Sequence, residues 1–217
     1  MLDIGGGEGL FSLYGACMGA KPVICLEPEG KGSTKGVSSK LKQLCDTVPR
    51  GSIIHKAVTF QEFDPAGQTF DIILLNNSIN HLDEEACANL QTSEVARNRY
   101  KMIFHKLNEL AAFSAKLIIC DCSRYNFFDF IGLRNPFAPT ITWHIHQSPK
   151  YWSNMLSEAG FINPKIRWTY FSYFPIMNRS SLYNRFMSYA SYLTISHFCL
   201  TMDKGEMLQT SYKRETM

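Results

Sequence analysis

The residues of this chain best suited to chemistry crowd its first 27 positions. The run Met1-Leu-Asp-Ile-Gly-Gly-Gly-Glu-Gly9 brings Asp3, Gly5, Gly7 and Gly9 together, and Glu27 closes the next apolar run, Pro22–Leu26. Glycine reaches backbone angles other residues avoid, and without a Cβ it lets the main chain approach a ligand. An acid at the end of the following strand completes a pattern built to hold a nucleoside. Further on stand groups that could move a proton or pair with an anion. His81 ends the polar run Asn76-Asn-Ser-Ile-Asn-His81, and His144 and His146 alternate with Trp143 and Ile145. Arg124 follows the apolar run Ala115–Asp121, where it could pair with an anionic substrate or anchor the aromatic stretch that follows.

These residues need a scaffold, and the hydrophobic pattern supplies one. The apolar start, the glycines and Pro22–Leu26 predict strand, turn, helix and strand, with the helix beginning at Glu8 or Gly9. Val37, Leu41 and Leu44 fall on one helical face, ended by Pro49-Arg-Gly51. Ser52–Ala57 is a third strand, followed by a loop containing Phe60 and Gln61. Phe70–Leu75 is a continuous apolar run, as in a strand buried on both faces. Glu94–Ala112 has the spacing of an amphipathic helix, and Ala115–Asp121 is strand five. Ser148-Pro149 is a helix N-cap with proline at the first helical position, and Gly160 is the stop. Strand six runs from Phe161 through Lys165–Tyr173, with Leu193–Met202 as an antiparallel seventh. The expected fold is α/β: a Rossmann-like, doubly wound, seven-stranded sheet, mostly parallel.

Spacing narrows the ligand. Gly5, Gly7 and Gly9 make GxGxG, whereas a dinucleotide fingerprint would need glycine where Leu10 stands. Leu-Asp-Ile-Gly-Gly-Gly-Glu-Gly followed by Glu27 resembles motif I of the class I S-adenosylmethionine-dependent methyltransferases. The crest after strand four resembles motif IV of their small-molecule members. Pro-x-x-Trp-x-x-x-Leu-x-x-Ala-Gly-Phe, residues 149–161, resembles their last helix and turn. The resemblance implies S-adenosyl-L-methionine as cofactor, with Asp3 and the glycine backbone facing its methionyl part and Glu27 accepting bonds from both ribose hydroxyls. It places Phe60 and Gln61 near the adenine, and Asn76 at the crest. It implies methyl transfer to a small-molecule acceptor. The prolines of the DNA-methylating enzymes after strand four are absent, as are the paired glutamates of the protein-arginine enzymes. A nucleotide-dependent oxidoreductase and an inactive cofactor-binding fragment remain as alternatives.

The 217 residues suit one domain, over 1–203, with a polar tail over 204–217. A net charge of +3, scattered along the chain, makes no nucleic-acid footprint. Seven cysteines, mostly in apolar runs, read as reduced thiols and point to the cytoplasm; Cys120-x-Cys122 is too closely spaced for a zinc site. The first residue already lies inside a strand, so the chain reads as N-terminally shortened. Two aromatic insertions, 125–147 and 175–192, are expected at the carboxyl edge of the sheet. They could form a lid, with His81, His144 and His146 as candidate catalytic groups. Arg124 and Trp143 are candidates for holding an acceptor, an anionic one if Arg124, Arg134, Arg179 and Arg185 face it. Packing of both insertions onto the domain, and docking of 175–192 to a membrane surface through its Tyr, Phe and Arg residues, are the other two readings.

Overall fold

Alternating apolar residues in the first strands divide between two cores, and this division makes the sheet doubly wound. A computed structural model describes residues 1–30, 36–49, 51–169, 189–191 and 194–205. Strand β1 (Leu2–Ile4) lies at the centre, beside β2 (Val23–Leu26), β3 (Ile53–Lys56), β4 (Phe70–Asn76) and β5 (Ala111–Cys122). Strands β6 (Phe161–Trp168) and β7 (His197–Lys204) complete the order β3-β2-β1-β4-β5-β7-β6. All pairs from β3 to β5 are parallel, while β7 runs antiparallel to both β5 and β6. Leu2, Ile4, Ile24 and Leu26 join one core, and Val23 and Cys25 face the other.

Helices α1 (Leu10–Cys17) and α2 (Val37–Cys45) cover the smaller core through Leu13, Leu41 and Leu44. The larger core lies under α4 (Glu94–Leu110) and α6 (Pro149–Glu158). There Trp152 is fully buried, with ring centroids 5.3 Å from Tyr100 and 5.8 Å from Phe104. The start of α6 is as its sequence requires: the Ser148 hydroxyl accepts from Tyr151 N–H, and Pro149 occupies the first turn.

Several boundaries differ from expectation. Helix α1 starts at Leu10, because Gly9 takes a left-handed conformation (φ 84°) and cannot begin a helical run. Helix α4 stops at Leu110, and β5 begins there rather than at Ala115; a bulge with Ser114 at φ 60° lets the longer strand stay paired with β4. Strand β7 begins at His197 and runs to Lys204, so position 204 belongs to the sheet. Two short helices were not anticipated, α3 (Glu84–Asn89) and α5 (Phe127–Phe130). Each has a side-chain cap: Asp83 accepts from Ala86 N–H, and Asn126 from Phe128 and Asp129 N–H. Most of the 175–192 insertion, including Arg179 and Arg185, lies outside the described residues, as does the tail from 206.

Candidate functional site

Strand order reverses between β1 and β4, and the crevice at the carboxyl ends of those strands is where open α/β sheets bind ligands. A cavity of about 580 Å³ lies there. Its walls come from the turn after β1, the end of β2, the loop after β3 and the crest after β4. Among them are Gly5, Gly7, Glu27, Gln61, Ser78 and His81.

The glycine turn is tied down by the Leu26 carbonyl, which accepts from both Gly5 and Gly6 N–H at 2.8 and 3.2 Å. Its three alternate glycines have different tasks. A Cβ on Gly5 would stand 2.4 Å from Ser78 Cβ, and one on Gly9 would stand 2.2 Å from Leu41 Cδ2. Those two allow close packing, of the crest and of α2 respectively. Gly7 (φ 54°) lines the cavity, and a Cβ there would meet nothing within 4 Å. It is the glycine whose absent side chain leaves room for a ligand. Its N–H donates to Glu27 Oε2 at 2.8 Å, which positions the carboxylate at the end of β2, 6% exposed.

Asp3 lies beneath the turn and contributes nothing to the cavity wall. Its Oδ2 accepts from the Ser12 hydroxyl at 2.7 Å, joining β1 to α1. Burial pushes its pKa up to about 6, against the Ser12 bond and with help from the negative Glu27. A pKa raised above the usual 3.8 means that the folded protein holds this proton more tightly than the unfolded chain. The resulting stabilisation is full below about pH 4 and is lost as pH rises through about 6. Thermal unfolding of the ligand-free protein across that window should show the midpoint falling, and Asp3→Asn should flatten the fall.

On the opposite wall, Phe60 is a core residue, 2% exposed, that shows only part of its ring to the cavity. Lys106 fixes this loop: its Nζ donates to the carbonyls of Phe60, Gln61 and Phe63, each at 2.9 Å, and stands 5.2 Å from the Phe60 ring centroid. The Gln61 amide donates to the Leu82 carbonyl, bridging the loop to the crest. Asn76 is still within β4, opposite Cys120, and its place in the wall is taken by Asn77 and Ser78. Asn77 turns the chain at φ 52°, and the Ser78 hydroxyl donates to the Ile4 carbonyl at 2.6 Å.

Of the three candidate histidines, His81 alone lines this cavity. Its Nδ1 donates to Glu84 Oε1 at 2.6 Å, and Asn80 Nδ2 lies 3.4 Å from Nε2. A carboxylate only accepts, so Nδ1 carries a proton, and in the neutral ring Nε2 is the nitrogen with the lone pair. His146 is buried at the end of β5, where its Nδ1 donates to Asp121 Oδ1 at 3.1 Å. His144 is exposed, and the Trp143 ring lies 6.0 Å from that of His146. Neither these two residues nor Arg124 reaches the cavity wall. The Arg134 guanidinium donates to the Pro139 carbonyl within its own loop. The physical reason is position: β5 is the neighbour of β4 on the side away from β1, so groups following β5 stand beside the cavity.

Sequence reasoning missed Glu8, Ser78 and Glu84. Of these, only Glu84 left a signal, three residues after His81 in the first turn of α3. Among the described residues, Glu8, Glu27 and Glu84 line the cavity and no lysine or arginine does. No group of three metal-ligating side chains occurs among them, and no helix there is long and apolar enough to cross a membrane. All seven cysteines are free thiols.

No protein-family model and no curated protein matches this sequence. Solved structures do match. A protein of Listeria monocytogenes described as an S-adenosylmethionine-dependent methyltransferase aligns over 94% of this chain and 89% of its own, at 13% identity and TM-score 0.62. The N-methyltransferase NodS of Bradyrhizobium japonicum aligns over 94% and 85%, at 12% identity and TM-score 0.55. Phosphoethanolamine N-methyltransferase 2 of Haemonchus contortus, in complex with S-adenosyl-L-methionine, aligns over 95% of this chain and 48% of its own. Its identity is 13% and its TM-score 0.59. At these identities the likeness bears on architecture, and with the sheet order above it shows that this chain has the fold of the class I S-adenosylmethionine-dependent methyltransferases.

Proposed function

We propose that the chain binds S-adenosyl-L-methionine and transfers its methyl group to a small-molecule acceptor. The observation that carries this reading is the charge of the cavity. Three carboxylates line it; Glu8 is paired with Lys40 from outside the wall, while Glu27 and Glu84 have no lysine or arginine partner among the described lining residues. A pyrophosphate would be repelled, whereas a ligand bearing a sulfonium and an ammonium is attracted. The volume suits a nucleoside-sized ligand. Gly7 leaves open space, and Glu27 has an oxygen beyond the one bonded to Gly7 with which to hold ribose hydroxyls. Asp3, buried behind the turn with a raised pKa, contributes negative charge once a cation lies nearby.

The bound cofactor supplies a methyl carbon already activated by its sulfonium. The protein's part is alignment: the glycine turn and Glu27 fix one reactant, and the Asn77–Ser78 crest borders the position of the other. In-line displacement at that carbon needs a base only where the acceptor arrives protonated. His81 Nε2, with its tautomer set by Glu84, is placed to take that proton. Its half-exposed ring can be partly replaced by water, so His81→Gln should lower kcat by about tenfold while leaving cofactor affinity unchanged. Steady-state rates and calorimetry on the same variant would separate the two effects. The aromatic segment 125–147 follows β5, so we place it along the acceptor's approach, as a flank of the acceptor site and lid for that side only. His146, Arg124 and Trp143 would then shape the acceptor's surroundings.

Calorimetric titration tests the reading directly. S-adenosyl-L-methionine and S-adenosylhomocysteine should bind and NADH should not; binding of NADH alone would replace this reading with a nucleotide-dependent oxidoreductase.

A further inference from the structure

Among the described residues no helix covers one face of the outer strand pairs, and two thiols meet there. In β5 and β7, Leu117, Ile119, Phe198, Leu200 and Met202 point into the larger core. The alternate residues Ile118, Cys120, Cys199 and Thr201 are only partly buried, with no helix over them among the described residues. A groove of about 340 Å³ runs along this face, lined by Cys199, Lys165 and Arg167 and by the Lys116–Asp203 ion pair, which leaves it an excess of positive charge. Cys120 and Cys199 are directly opposite each other in the antiparallel β5–β7 ladder. Residues so paired have Cα atoms about 4.5–5.5 Å apart, within the span of a disulfide. Each thiol is the largest single influence on the other's ionisation.

We infer that Cys120 and Cys199 form a site of reversible thiol oxidation, reacting with a small anionic disulfide that the cationic groove admits. The inference is independent of the methyl-transfer reading. Cys199 is the attacking group. The Cys120 thiol opposite it brings its pKa down to about 7 against the opposing effect of burial, and the facing Arg167 assists. The same pairing, with burial and the charge of Asp121, holds Cys120 protonated. The Cys199 thiolate attacks one sulfur of the small disulfide, forming a mixed disulfide and releasing one small thiolate. Cys120 then gives up its proton and attacks the Cys199 sulfur, releasing the second small thiol. Two protein thiols are oxidised by two electrons, and one small disulfide is reduced to two thiols. A bond between partly buried thiols beside this groove is open to reduction by the reverse exchange.

Glutathione disulfide is the probe. The intact protein is incubated with it near neutral pH, alkylated with iodoacetamide and mapped by non-reducing peptide mass spectrometry. The Cys120 and Cys199 peptides should appear joined, and dithiothreitol should separate them. Cys120→Ser should accumulate one glutathione on Cys199, while Cys199→Ser should leave Cys120 unmodified. Glutathione found only on Cys17 or Cys45, with Cys120 and Cys199 both alkylated, would overturn the inference. So would linkage of either thiol to any other cysteine.

Discussion

Gly7→Val should abolish binding of S-adenosyl-L-methionine while leaving the protein folded. Gly7 lines the cavity and a Cβ there would meet no protein atom within 4 Å, so a valine side chain is expected to enter the ligand's volume. The cost to the fold comes from the backbone alone. A β-branched residue at φ 54° is strained by about 1–3 kcal/mol, which lowers the melting temperature without removing the folded state. Affinity should fall more than about a hundredfold, since each 1.4 kcal/mol of steric conflict is tenfold. Calorimetry measures the affinity, and circular dichroism with a thermal melt checks the fold. Gly9→Ala is the informative contrast. Its Cβ would press on Leu41, so it should destabilise α2 packing and affect binding only through the fold. If Gly7→Val unfolds the protein outright, the turn is there for the fold and the cavity reading loses its support.

Glu27→Ala is the second large effect, a loss of about 2–3 kcal/mol in cofactor binding, or roughly 30–150-fold. Two charge-assisted bonds to ribose would be lost, and the Gly7 N–H would lose its acceptor. Glu27→Gln should lose less, because the amide oxygen can still accept from Gly7. The comparison separates the charge from the positioning of the turn. Wild-type affinity in Glu27→Ala would remove this carboxylate from the site.

The charge distribution redirects the search for the acceptor. Arginines in the aromatic insertions suggest an anionic substrate when read from the sequence. In the structure Arg124 is not part of the cavity wall and Arg134 is engaged within its own loop, while the side-chain carboxylates of Glu8, Glu27 and Glu84 line that wall. Acceptor screens with cationic and neutral amines or hydroxyl compounds therefore have the better rationale, with the residues after β5 as the first to vary.

What the sequence determined by itself was local and periodic. The glycine run after an apolar strand, Glu27 at the end of the next one, Ser148-Pro149 at a helix start and Gly160 at its stop each depend on neighbours a few residues away. The short apolar runs of β1, β2 and β4 and the 3.6-residue stripe of α4 follow from the same short-range geometry, which is why the order of elements was legible. Tertiary structure decided what those residues face. Asp3 turned inward to Ser12, Gly9 against Leu41 and Gly5 against Ser78, so of the three alternate glycines only Gly7 has open space where a side chain would stand. The crest moved by one residue, from Asn76 to Asn77, because Asn76 still pairs in the sheet with Cys120. The order β4-β5-β7 placed His146 with Asp121 beside the cavity and brought Cys120 to Cys199, 79 residues later in the chain. Such contacts depend on strand order and register, which bring together residues far apart in the sequence and leave no periodic trace in it.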